Sequence, residues 1–354
     1  MIKTVKSNTF MPNHIGHNFV LIFWLLSMSC GGFGGKEKRG NEGIQNQLSS
    51  GIPVIFDTDI QGDYDDVGAL AMIHAFADSG DIEILATVAS NRSPLVVPTI
   101  DVINTYFGRP DIPIGVLKAG GVSQDARELY WPDSLIAHFP HTYENNDQAP
   151  DAVELYRRIL SQQADSSVTI ISVGFLTNLK DLLLSEADSL SPLNGKDLVA
   201  KKVKHWVAMA GGFPEGKEAN VRKDSTASAY AIDNWPTPII FSGFEIGVEI
   251  KTGLSLIKDV PTDSPIRMVY AISIPKHLYD KEGRRSWDQT AVLAAVKGFE
   301  PYFGYKTGWF ITSPDGSNQW KDDPDGMHKH LVMKMSADSM AHKIEGLMMH
   351  QPKR

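Results

Sequence analysis

"VIFDTDIQGDYDDVGALAMIHAF", residues 54–76, decides how the chain is read. A β-branched and aromatic run, Val54–Phe56, stops at Asp57, and the ten residues from Asp57 to Asp66 carry five aspartates: Asp57, Asp59, Asp63, Asp65 and Asp66. Helical spacing begins at once after them. A short continuous apolar run followed by an amphipathic stretch reads as a buried strand feeding a helix, so the aspartates occupy a strand's carboxyl end and a helix's first turn. Carboxylates this close raise one another's pKa and cannot all stay ionised without a counter-charge. A helix N-terminus offers only about 0.3–1 kcal/mol, which points to a hard cation held by oxygen ligands.

Outward from this turn the same rhythm continues. "IEILATVAS", "IPIGV", "SVTIISVG", "VKHWVAMAGG" and "TPIIFSG" read as strands, and "PLVVPTIDVINTYFG", "DAVELYRRILSQQ" and "TNLKDLLLS" as helices between them. Alternating units of this kind predict an α/β fold with an open, mainly parallel sheet flanked by helices and a Rossmann-like core, spanning residues 51–350 as one domain. Ligands bind outside the carboxyl ends of strands in such sheets. Four expected strand ends carry polar or Gly-rich sequence: the aspartate turn, the stretch ending at Asn91, "GFLTN" at 174–178, and "AGGFPEGKEAN" at 210–220.

The 354 residues are 42% hydrophobic and 21% charged, ample for a full core, and the net charge of −8 argues against a nucleic-acid polymer as partner. A small-molecule ligand is expected. Lys3 and Lys6 precede "FVLIFWLLSM" at 19–28, too short for a ~30 Å bilayer but suited to a secretory signal. "LSMSC" then "GGFGG" resembles a bacterial lipoprotein signal over residues 1–30, with Cys30 lipidated, which implies export to the periplasm or cell envelope and membrane contact only through that anchor. Residues 31–50 are Gly-rich and polar, as in a flexible tether. Cys30 is the only cysteine, so no intrachain disulfide can form.

Other acidic motifs fit the turn less well. An EF-hand would require Glu where Gly68 stands, and a helix where the strand-like "IPVIF" precedes. A D-x-D phosphatase would place its second acidic motif far downstream. A solvated helix cap accounts for one or two carboxylates, not five.

"DTDIQGDYDDVGAL" resembles the N-terminal motif of the nucleoside hydrolases, the inosine–uridine-preferring family, and the resemblance extends through "TVASN", "ISVGFLTNLKDLL", "MAGGFPEGKEANVRKD" and "SWDQTAVLAA" in the same order. It implies cleavage of a nucleoside's N-glycosidic bond with one Ca²⁺. The ion's ligands would be Asp59, Asp66, the Val173 carbonyl and Asp288. Asp65 and Asn91 would bind the ribose 2′ and 3′ hydroxyls, and Glu218 and Asn220 the 5′ end. Asp57 would orient the turn from behind. Asp59 would take the proton of a water attacking the anomeric carbon, and the surrounding carboxylates would stabilise an oxocarbenium-like transition state.

Three departures from the family pattern stand out. The turn is two residues longer between Asp59 and Asp65 than the common form, which leaves Asp63 without a counterpart, as a supporting ligand or a residue behind the ligands. The segment between Gly212 and Glu218 is shortened and lacks a further sugar-binding Asn. Trp287 stands where some members carry a proton-donating His; an indole is no acid but can stack on a base, as in the purine-preferring branch. A purine nucleoside is therefore expected, with Trp131 as a second stacking wall. The alternative is a non-catalytic nucleoside- or sugar-binding lipoprotein, or a hydrolase of another ribosyl substrate. Relatives imply a homo-oligomer. The pairs His138/His141 and His328/His330 lack zinc-like partners and read as surface histidines, and "WKDDPDG" at 320–326 as a solvated loop.

Overall fold

The structure is a computed structural model that describes residues 51–125 and 131–353. The expected signal at 1–30, with Cys30, and the tether at 31–50 lie outside the described residues.

The strands are β1 (Ile52–Thr58), β2 (Ile82–Ala89), β3 (Ile114–Val116), β4 (Val168–Ser172), β5 (Val203–Met209) and β6 (Glu215–Gly216). They continue as β7 (Ile239–Ser242), β8 (Lys251–Thr252), β9 (Arg284–Arg285), β10 (Phe303–Thr312), β11 (Asn318–Asp322) and β12 (His328–Met333). Ten of them form one sheet in the order β3-β2-β1-β4-β5-β7-β12-β10-β11-β6. From β3 to β12 every neighbour is parallel, and β10, β11 and β6 complete the edge in antiparallel fashion. This is the mainly parallel sheet that the alternating pattern predicts. The antiparallel edge was not visible in that pattern, and it corrects the reading of "WKDDPDG": Trp320–Asp322 end β11, and the Trp320 ring packs on Phe213 and His330.

Helices cover both faces. The first six are α1 (Asp65–Asp78), α2 (Val96–Tyr106), α3 (Trp131–His138), α4 (Ala152–Gln162), α5 (Thr177–Leu184) and α6 (Gly195–Lys202). Then come α7 (Ala219–Lys223), α8 (Ser225–Asn234), α9 (Phe244–Gly247), α10 (Leu254–Asp259), α11 (Pro265–Ser273), α12 (Trp287–Lys297) and α13 (Ala337–Met348). Strand alternation sorts the core into two layers. Val54 and Phe56 face one cluster, with α1, α2, α12 and α13, while Ile55 faces the other, with α4, α5 and α6. None of the helices among the described residues is long and apolar enough to cross a membrane.

Helix α1 is buried from Asp65 to Phe76, so it runs through the core and not over it. It packs on α12 at Gly68, where a Cβ would come within 2.5 Å of Gln289 Nε2 and Tyr270 Oη. Gln289 Nε2 also donates to the Asp65 carbonyl at 3.1 Å, which fixes the start of α12 against the aspartate turn. Because β1, β4, β5 and β7 are adjacent and parallel, their carboxyl ends open on one side.

His328 and His330 are buried, contrary to the surface reading: His328 Nδ1 accepts the Phe310 N–H at 3.0 Å, and His330 stacks on Phe213 at 4.4 Å. His138 is exposed on α3, as expected. Burial pushes the His328 pKa down to about 4. The unfolded chain takes a proton there below pH ~6.5 and the folded one does not, so this group's contribution, fully present above that pH, is lost as pH falls towards 4. Urea titrations from pH 6.5 to 4 should show His328→Gln losing stability less steeply than the parent, by at most ~1.4 kcal/mol per pH unit. Equal slopes would contradict a buried neutral His328.

Candidate active site

The ends of β1, β4, β5 and β7, with the segment leading into α12, enclose a cavity of about 620 Å³, within the range of small-molecule sites. Its lining joins three groups of side chains: Asp59, Asp63, Asp65 and Asp288 on an acidic side; Glu218, Asn220 and Lys223 around α7; and Phe213, Phe244 and Trp287 as an aromatic side.

The aspartate turn is held from several directions. Gln61 adopts a left-handed backbone (φ 78°), a conformation that costs on the order of 1 kcal/mol for a non-glycine residue. Its side chain is clamped, with Nε2 donating to Thr99 Oγ1 at 2.6 Å and Oε1 accepting from Ser93 Oγ at 2.7 Å. At Gly174, just after β4, a Cβ would come within 2.3 Å of the Asp59 amide nitrogen and 2.6 Å of its Cβ, so only glycine allows the turn to close on β4. Asp57 lies behind the cavity, fully buried, and accepts from Tyr156 Oη at 2.8 Å and Asn178 Nδ2 at 3.0 Å. Burial pushes its pKa up to about 7.

Burial, reinforced by neighbouring carboxylates, also drives Asp59, Asp65, Asp66 and Asp288 well above the usual carboxylate range. A counter-charge is present that the sequence reading had not found. Arg284, from β9, is buried; its Nη2 lies 2.6 Å from Asp63 Oδ2, and Nε donates to Asp65 Oδ1 at 3.1 Å. Its guanidinium lies over the rings of Tyr64 (4.8 Å) and Trp287 (5.3 Å), and Tyr64 Oη donates to Asp280 at 2.7 Å beside it. Burial works against its charge, but Asp63, Asp65 and Asp280 hold its pKa well above the ordinary arginine value. Asp63 is the most exposed of the turn, at 46%; burial works to raise its pKa, but Arg284, a hydrogen bond with Asp65 and the charge of Lys223 together hold it below the usual range.

One guanidinium does not neutralise five carboxylates. Carboxylate oxygens of Asp63, Asp65 and Asp66 lie within 4.8 Å of one another, and Asp66 Oδ2 is buried without a hydrogen-bond partner among the described residues. Its other oxygen accepts from Thr58 Oγ1. An all-oxygen donor set with an orphaned buried carboxylate oxygen fits a hard divalent cation. Val173 lines the cavity too, and its carbonyl accepts Asn220 Nδ2 at 3.0 Å.

Not every expected contact faces the cavity. Trp131 is fully buried in the core layer of α1 and α2 and is absent from the lining, which corrects its reading as a stacking wall. Asn91 is fully buried as well. Its Nδ2 donates to the carbonyls of Asp59 (3.2 Å) and Gln124 (2.8 Å) and its Oδ1 accepts the Gln124 N–H (2.8 Å), so it braces the turn from outside the lining. Glu218 caps α7 and accepts N–H groups of Asn220, Val221 and Gly211 at 2.7–3.2 Å. Trp287 is half-buried; its Nε1 donates to the Phe244 carbonyl at 2.9 Å and its ring stacks on Phe244 at 5.3 Å. Phe244 and Glu245 follow directly on β7, a fifth strand end that the same carboxyl-end rule would have flagged.

The model of the inosine-uridine preferring nucleoside hydrolase family matches residues 54–322. Among solved structures, the chain is similar to a plant nucleoside hydrolase at 20% identity and TM-score 0.62, over 84% of this chain and 98% of that one. It is similar to an inosine-uridine preferring nucleoside hydrolase from Bacillus anthracis at 16% identity and TM-score 0.63, over 84% and 99%. The third is a purine-preferring ribonucleoside hydrolase from Gardnerella vaginalis, at 14% identity and TM-score 0.60, over 84% and 99%. At these identities the structural likenesses bear on the fold alone. No curated protein matches the chain.

Replacing Arg284 by Met should destabilise the metal-free protein by about 3–5 kcal/mol in urea unfolding, because it strands buried Asp65 without its cation. A loss below ~1 kcal/mol would mean that the carboxylates are protonated and need no partner.

Proposed function

The chain belongs to the inosine-uridine preferring nucleoside hydrolase family, and from that premise we propose that it hydrolyses the N-glycosidic bond of purine ribonucleosides, with Ca²⁺, to free base and ribose. The observation that carries the proposal is the single cavity in which an acidic side that fits a hard cation meets an aromatic pair, Phe244 and Trp287. A sugar rich in hydroxyls matches the first and a flat base the second.

In this reading Asp59, Asp66, Asp288 and the Val173 carbonyl hold the ion, and Asp63 supports them. A bound calcium ion supplies local positive charge that makes a water more acidic and attracts sugar hydroxyls. Asp59 accepts the proton of the attacking water. Asp65 accepts hydrogen bonds from the ribose hydroxyls while Arg284 holds its carboxylate in place. Asn220 has committed its amide nitrogen to the Val173 and Met209 carbonyls, which leaves its Oδ1 for the 5′ hydroxyl. Glu218 fixes the α7 segment that carries Asn220. Positive charge developing on the ribosyl ring is stabilised by the carboxylates around it. The base stacks on the Phe244–Trp287 pair; a flat aromatic platform favours the larger purine ring.

We further propose export with lipid attachment at Cys30, on the strength of the "LSMSC" signal, with Cys30→Ala expected to release the protein from the membrane fraction.

Reducing-sugar release from inosine, adenosine, guanosine, uridine and cytidine by the full chain should be calcium-dependent, lost on chelation, and greatest with purines. Asp59→Asn should lower kcat by at least ~100-fold with the fold intact. Full activity in that variant would sink the assigned role, and release unaffected by chelation would sink the metal. Binding of nucleosides without turnover would favour a non-catalytic carrier.

A further inference from the structure

Resting on the reading above, we propose that Glu245 is the proton donor to the departing base. A purine expelled as an anion is a poor leaving group, and donation to one of its ring nitrogens typically contributes 10²–10⁴-fold to such cleavages. Trp287 cannot serve: indole is not an acid near neutrality, and its N–H is already given to the Phe244 carbonyl.

Glu245 lines the cavity next to the aromatic pair, one residue after Phe244 on α9. Its Oε2 accepts the Phe213 N–H at 3.1 Å. The carboxyl is folded back over Gly243: a Cβ on that glycine would come within 2.5 Å of Oε1, 2.6 Å of Oε2 and 2.5 Å of the Phe213 ring. Oε2 is thus anchored by the Phe213 backbone, with the Phe213 ring beside the same glycine. The carboxyl also takes the N–H of Glu245 itself, and Oε1 is the atom that would meet a base lying against Phe244 and Trp287. Burial raises the Glu245 pKa above its ordinary value, which favours the protonated form that a donor needs.

The other carboxyl groups of the lining are spoken for. Asp59, Asp63, Asp65 and Asp288 belong to the acidic side, and both Glu218 oxygens are taken by backbone N–H groups, Oε1 by that of Asn220 and Oε2 by those of Gly211 and Val221. Glu215 is exposed on β6.

The step balances as follows in atoms and electrons. The C1′–N bond breaks with its electron pair passing to the base, while the Glu245 proton moves to a ring nitrogen, so the base leaves neutral. The water oxygen bonds to C1′ and its proton passes to Asp59. Glu245 ends ionised and Asp59 protonated, and exchange with solvent restores both.

The test compares kcat for inosine with kcat for p-nitrophenyl β-D-ribofuranoside, whose phenolate departs without a proton, using the full chain with calcium. Glu245→Gln should lower the inosine-to-phenyl-riboside ratio of kcat by about 100-fold. Gly243→Ala keeps the glutamate but fills the space of its carboxyl, and should lower the ratio in the same sense; it carries the test if the first variant does not fold. Glu245→Asp should recover part of the loss. An unchanged ratio, with both rates falling together or neither falling, overturns the inference and leaves nucleoside hydrolysis standing. Hydrolysis of neither substrate by the parent chain overturns the underlying reading, and the inference with it.

Discussion

Buried negative charge is the constraint on which the rest of this structure depends. Asp59, Asp65, Asp66 and Asp288 are all nearly removed from solvent in one place, and each makes the others harder to ionise. Arg284 answers part of that charge, wedged between Tyr64 and Trp287 and paired with Asp63 and Asp65. The surrounding fold is organised to hold this cluster still. Gly174 lets the turn close on β4, Gln61 takes a left-handed conformation with its side chain clamped, and Gly68 lets α1 and α12 approach. Each costs local stability or conformational freedom, a cost sustained by a core that surrounds α1 completely.

The cluster is placed by topology. Parallel strands β1, β4, β5 and β7 deliver their following loops to one side, and the register between them sets which residues meet. From β1 come the aspartates, from β4 Val173, from β5 the segment with Glu218 and Asn220, and from β7 Phe244 and Glu245. The cavity is consequently polarised, with carboxylates and Arg284 at one part and aromatic rings at another. A nucleoside has the same division between sugar and base, which is why the family's reaction suits this architecture.

The parallel strands β1 to β5 and β7, with the helices α1, α2, α4 and α5, were legible because buried parallel strands are continuous apolar runs of a fixed short length. The antiparallel edge of β10 and β11 was less so, since half-exposed strands such as Phe303–Thr312 mix polar and apolar residues. Among site residues, the aspartate turn was singled out by type and local spacing, and Glu218, Asn220, Asp288 and Trp287 by the family resemblance; they gather around the cavity or its floor. Trp131 misled because a large aromatic ring is read equally well as platform or as core, and here it is core. Asn91 misled differently: it stands at the right strand end but spends its amide on the backbone of the turn.

By itself, the sequence determined the alternation of parallel strands and helices, the strand end at which negative charge accumulates, and the need for a compensating cation. These are local properties, set by periodicity and by the proximity of like charges along a few residues. Only the tertiary structure decided which cation meets the buried carboxylates and which carboxyl lies beside the aromatic side of the cavity. Arg284 stands 219 residues beyond Asp65 and Glu245 is fixed by the N–H of Phe213, 32 residues away. Such pairings depend on the register of an open, ten-stranded sheet and on what a buried charge finds within a few ångströms, and neither is written in the spacing of neighbouring residues.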